Sequence, residues 1–308
     1  MIKISNRSIG IISGAVAAAA YGLNPLFARP LYDCGLIPAS VLFYRFTLAA
    51  VMLLPLLLIK RCTLKVSKCE LAALTLGGAL MVASSLCLYS SFNYMDVGLA
   101  MTLLFLYPVI VAVVMCVFFH EKISAATVAS IALALGGLVF ITMLGKGNAE
   151  VFITWTGVIL AICSSCSYAL YIVAVRKSAM CNVPSEKLTF YTVLTGAPMF
   201  LVFLKGGMDL TLPTAMYGWW YLVGVAFFPT IIALVFMAIS IDRIGATPTA
   251  ILGVLEPVTG VLIGILIYKE VLTLYSILGI VLIFSAVLLV IWGDRPKEIA
   301  KEVNSENP

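Results

Sequence analysis

Apolar residues fall in runs of about twenty along nearly the whole chain, separated by short polar breaks. At about 1.5 Å per residue, a helix of that length crosses a hydrocarbon layer roughly 30 Å thick. Ten runs meet the condition: 9–27, 37–59, 70–89, 97–119, 123–144, 155–175, 188–204, 217–240, 246–268 and 272–292. The seventh is the weakest, being short and interrupted by Pro198. The breaks hold a handful of residues each, which leaves no room for a soluble domain. The polar stretch 293–308 reads as a disordered tail, and the only sensible seam is 146–154.

Composition points the same way. The chain is 63% hydrophobic and 11% charged over 308 residues, more apolar surface than a soluble core of this size can hide. Lipid is the expected solvent. With the N-terminus in the cytoplasm, fourteen of the 19 Lys and Arg residues lie in cytoplasmic segments and four lie outside (Arg29, Lys146, Lys205 and Lys269), with Arg45 inside a span. The positive-inside rule therefore predicts a multi-pass protein of the cytoplasmic (inner) membrane with both termini cytoplasmic. The net charge of +5 is a topology signal and no footprint of nucleic-acid binding. The basic start and alanine-rich run have the look of a signal peptide. The run continues through Tyr21, Leu23 and Phe27, however, so it is read as the first span. Cys163 and Cys166 have redox spacing but sit mid-span, where they read as packing residues. The scattered cysteines and single histidine suggest no disulfide framework, metal site or cofactor.

The chain repeats itself. Residues 98–108, ending in Leu-Tyr-Pro, recur as 244–257, ending in Leu-Glu-Pro, with Pro108 and Pro257 149 positions apart. Thirteen positions beyond each proline comes an acid, Glu121 or Glu270. Gly10 and Tyr21 match Gly157 and Tyr168, and Phe43-Tyr44 matches Phe190-Tyr191, at an offset of 147. Each unit, 8–145 and 154–292, thus holds five spans. Five is odd, so the second unit enters the membrane from the opposite face, the inverted-repeat plan. The fold class expected is all-α: ten transmembrane helices forming two inverted five-helix repeats around a central cavity.

On these residues the chain resembles the EamA-like ten-helix permeases of the drug/metabolite transporter superfamily, across both halves. The motifs carrying the likeness are Leu106-Tyr107-Pro108 leading to His120-Glu121, Leu255-Glu256-Pro257 leading to Lys269-Glu270, and Gly136-Gly137 with Gly279. Family members usually carry Gly before the terminal acid, where this chain has His120 and Lys269. The resemblance implies transport of a small metabolite, often export of amino acids or related compounds.

Glu256 and Arg45 are the most costly residues, since an ionisable group at mid-bilayer costs at least about 2.5–3.5 kcal/mol on insertion scales. Arg45 lies about 12 Å from the outer start of its span and Glu256 about 15 Å from the inner start of its own, so the two share a level. Either they face one cavity, pairing or binding a zwitterionic or charged solute, or they tie two helices together. Tyr107 takes the position equivalent to Glu256, which makes the centre chemically asymmetric. Pro108 and Pro257 free the carbonyls of Leu104 and Gly253. The kinks act as hinges presenting those carbonyls, with Gly253 easing close approach, or as static bends. Tyr21 and Asn24 in the first span, and Ser164, Tyr168 and Tyr171 in the sixth, form polar stripes at helical spacing that line a cavity or glue helices. Ser84, Ser85 and Tyr89 are weaker candidates. Glu121 and Glu270 read as N-terminal helix caps. Gly260 and Gly264 have the GxxxG spacing of an internal contact or a homodimer.

The partners expected are a small-molecule solute and the lipid bilayer. No zinc-protease motif, phosphate loop or Ser/His pair supports an enzyme. A scaffold subunit of a lipid-modifying complex, or an uptake carrier, remains open beside export. The topology predicts that green fluorescent protein fused after Pro308 fluoresces while alkaline phosphatase fused there stays inactive. The reverse result would overturn the orientation.

Overall fold

The structure, a computed structural model, describes residues 6–95, 97–142, 154–267 and 273–293. In the first half, α1 (Asn6–Gly22) and α2 (Asn24–Asp33) make one span, followed by α3 (Pro38–Ile59) and α4 (Lys68–Ser91). A broken span, α5 (Val97–Leu104) and α6 (Tyr107–Phe119), and then α7 (Ala125–Thr142) complete that half. The second half runs α8 (Trp155–Lys177), α9 (Ser185–Phe203), and α10 (Met216–Ala226) joined to α11 (Ala233–Ile244). Next come the broken pair α12 (Ala246–Leu252) and α13 (Leu255–Leu266), and finally α14 (Leu274–Gly293). These make ten membrane spans. Among the described residues eight are long and apolar enough to cross a bilayer by length and composition; α7 is shorter, and α9 carries Glu186 and Lys187 in its first turn.

Local chemistry sets the helix ends. Ser67 and Glu70 form a reciprocal capping box that starts α4, each side chain taking the other residue's amide. The Ser124 hydroxyl accepts the amide of Thr127 at 3.0 Å to open α7, and Thr273 accepts that of Ser276 at 3.1 Å to open α14. The expectation that Glu121 caps the fifth span is thus corrected: the hydroxyl directly ahead of the helix has the right reach. Glu121 instead meets Lys177 of α8 at 3.2 Å. Glu270 lies outside the described residues.

Three departures from the sequence reading have backbone causes. The first span extends to Asp33 and breaks at Leu23, because Pro25 sits in the first turn of α2 and cannot continue α1. The fourth and ninth spans are interrupted for two residues, 105–106 and 253–254, ahead of Pro108 and Pro257, with Leu106, Gly253 and Val254 still in the right-handed helical region. Between α10 and α11, residues Phe227–Ile232 widen into a π-helical turn around Pro229.

The halves interlock. The most extensive helix contacts join α7 to α14, α1 to α11, α4 to α8 and α3 to α9, and every one of these pairs crosses from one half to the other. The pair α7–α14 meets at Gly137 and Gly279, where a Cβ on either would come within 2.6 or 2.5 Å of the other's carbonyl oxygen. Only glycine lets the two backbones approach this closely. A Cβ on Gly260, by contrast, would meet no atom within 4 Å, so that glycine is not used in packing within the described chain. Arg7 donates to the carbonyl of Ile291 at 2.8 Å, which sets the start of the first span beside the end of the last, at what is here called the terminal end of the bundle.

Replacing Gly279 by Val forces α14 off α7 and destabilises the protein by about 1–3 kcal/mol. Gly136, whose added Cβ would meet nothing within 4 Å, is the control. Thermal unfolding in detergent should show G279V well below wild type and G136V close to it.

Candidate functional site

A cavity of about 110 Å³ lies where the two broken spans face α1, α3, α4 and α8. At about 30 Å³ per water, it has room for a few waters or one small solute. Its wall takes Tyr21 and Asn24 from the α1–α2 junction, Arg45 from α3, and Ser84, Ser85 and Tyr89 from α4. Met101, Leu104 and Tyr107 come from the fourth span, Tyr168 from α8 and Glu256 from α13. The lining draws on the half of α4 remote from the terminal end and on the stretch of the fourth span around its break. Toward the terminal end lie buried Val111, Met115, Tyr171, Leu234, Ala238 and Ile241.

The structure brings Arg45 and Glu256 to the same wall without joining them, and among the described residues they form no ion pair. Arg45 is 7% exposed and is held by the second half. Its Nε donates to Thr230 Oγ1 and its Nη2 to the carbonyl of Pro229, both at 2.5 Å, and its Cζ lies 5.7 Å from the centre of the Tyr21 ring. Glu256 stands in the first turn of α13, where the unpaired amides of a helix start favour negative charge. Nearby, Tyr21 Oη and Asn24 Oδ1 are buried without a hydrogen-bond partner. A buried polar atom left so costs about 1–3 kcal/mol, a deficit that a polar solute can relieve.

Tyr107 crosses the internal two-fold to reach the second broken span. Its ring meets that of Tyr168 edge-on at 4.8 Å, and its hydroxyl lies where a Cβ of residue 253 would be. Gly253 is therefore a packing requirement for Tyr107 as well as a weak point in the helix. The carbonyls freed by the prolines are not presented to the cavity, which corrects the sequence reading. That of Leu104 accepts from Ser165 Oγ at 2.8 Å, and that of Gly253 from the amide of Glu256 at 3.0 Å. With no water in the hydrocarbon layer, neighbouring groups claim such carbonyls.

Two stripe residues stand behind the wall. Ser164 donates to the Ser84 carbonyl at 2.7 Å and so ties α8 to α4. Tyr171 is fully buried, its ring stacked on Tyr168 at 6.5 Å. Pro229 and Thr230 were not singled out from the sequence, although a proline followed by a hydroxyl residue inside an apolar span was a legible signal of a rearranged carbonyl.

Comparison with known proteins agrees with this architecture. The family model described as the EamA-like transporter family matches twice, over residues 8–143 and 155–292. An "Uncharacterized transporter" of Archaeoglobus fulgidus is 27% identical over 198 residues, covering 63% of this chain and 67% of that protein. A solved crystal structure of a protein superposes with a TM-score of 0.81 at 17% identity, covering 94% of this chain and 99% of the other, a likeness of fold. A doubled family match, set over two interlocked five-span halves around a central cavity, leaves one conclusion: the chain is a multi-pass membrane transporter belonging to the EamA-like transporter family.

Proposed function

We propose that this transporter is a secondary carrier exporting a small polar metabolite, such as an amino acid or related compound, across the cytoplasmic membrane, with both termini in the cytoplasm. One observation carries the reading: Glu256, a carboxyl group deep in an apolar span, borders a cavity of mixed polar and apolar lining beside the unpartnered Tyr21 Oη and Asn24 Oδ1. An ionisable group so placed is costly to the fold and is explained by a solute that needs it.

Glu256 accepts hydrogen bonds from the solute, with Tyr107, Tyr168, Tyr21 and Asn24 shaping and orienting it. Transport requires the site to reach each side in turn. With cytoplasmic termini, the cavity described here belongs to a state closed toward the cytoplasm, where the Glu121–Lys177 ion pair also lies. The breaks before Pro108 and Pro257 are the hinges about which α6 and α13 tilt.

The chain alone, reconstituted in proteoliposomes, should move a metabolite that accumulates in cells lacking it and leaves cells overproducing it. Glu256→Gln removes the charge while keeping the shape. It should raise the KM for that metabolite about tenfold or more, the equivalent of one charged hydrogen bond, in an initial-rate flux assay. Flux unchanged in E256Q would remove Glu256 from the mechanism, and absence of flux from the wild-type chain would overturn the carrier reading.

A further inference from the structure

Arg45 is held in an unusual way. Pro229 has no amide, so the carbonyl of Val225 loses its normal helical donor, and the Thr230 hydroxyl donates to it at 2.9 Å. That bond turns a Thr230 lone pair outward, where Arg45 Nε donates to it. In a regular helix the amide of Ala233 would serve the Pro229 carbonyl, but here it bonds to Phe228 and Thr230. The Pro229 carbonyl is thus free to take Arg45 Nη2. The π-helical turn offers two acceptors at the spacing of the guanidinium fork, and both are neutral.

A buried cation held only by neutral acceptors keeps its full charge and its remaining donors. Arg45 borders the cavity, and no carboxylate pairs with it among the described residues. The repeat does not duplicate this arrangement. Thr192 stands at the position equivalent to Arg45, and Leu80 and Met81 at those of Pro229 and Thr230. The cavity therefore has one cationic wall, opposite chemistry at Glu256, and a polarity that fixes which way round a solute sits.

We infer that the Arg45 edge left free by the α10–α11 turn is a subsite for a single carboxylate of the solute, and that Thr230 is the residue that positions it. The inference deepens the carrier reading and rests on it for the solute's presence in the cavity. One cation beside a carboxyl group suits a singly charged anion better than a phosphate dianion. The clamp turns the Nε edge of the guanidinium toward Thr230 and Pro229.

The test uses the purified full chain and a panel of α-amino acids, each paired with the amine formed by its decarboxylation. Thermal stabilisation reads binding, and proteoliposome flux is measured in parallel. At least one acid should stabilise the wild type while its amine does not. Thr230→Val should weaken binding of that acid about tenfold, and Thr230→Ser, which keeps the hydroxyl, should stay within about twofold. If T230V does not survive purification, Arg45→Lys carries the comparison, since a point charge cannot use the fork and should lose binding about tenfold. The assignment falls if amines bind as well as acids, if T230V matches T230S, or if no acid in the panel binds. Acid binding that depends on Thr230 without flux would spare the subsite and sink the carrier reading. Flux of amines with T230V neutral would do the opposite.

Discussion

A proline inside a lipid-embedded helix strands a carbonyl, and hydrocarbon has nothing to offer it. The centre of this protein is organised by the answers to that problem. Pro108 strands the carbonyl of Leu104, and Ser165 of α8 supplies the hydroxyl. Pro257 strands that of Gly253, and the amide of Glu256 turns back to it, which fixes where the carboxyl-bearing turn begins. Pro229 strands that of Val225, and Thr230 takes it while receiving Arg45. Each solution also places a group on or behind the cavity wall. The polar centre is thus built from repairs the bilayer makes compulsory.

The interlocking of the halves follows from the same solvent. Lipid gives helices no hydrophobic reason to associate, so close backbone approach and interhelical hydrogen bonds must hold them. Gly137 against Gly279 is the extreme case, and Ser164 with Ser84 joins α8 to α4 by hydroxyl and carbonyl. Because every major pairing crosses the repeat boundary, the two halves do not form two separate bundles.

Symmetry supplies the frame and its violations supply the chemistry. Tyr107 and Glu256 occupy equivalent places at the starts of α6 and α13, yet one presents a phenol and the other a carboxyl. The Tyr107 hydroxyl fits only because its neighbour across the axis is Gly253, whose own repeat mate is Leu104. The Arg45 clamp occurs once. A site with distinct ends can orient a solute, which two identical walls could not.

Much of this was legible in the linear chain. The spans, their number, the doubled motif and the costly charges at Arg45 and Glu256 follow from residue type and spacing, because lipid forces apolar helices of one length and tolerates ions only for cause. What the sequence could not decide was the partner of each polar group. Ser165 meets Leu104 across 61 residues and Arg45 meets Thr230 across 185, and no local pattern encodes such pairings. Arg45 and Glu256 have matched depths and opposite charges, and both reach the cavity wall, yet the packing of the helices turned the fork of Arg45 toward α10–α11 rather than toward Glu256. Depth is a property of position along a span; direction is set by how ten helices pack, and only the tertiary structure fixes that.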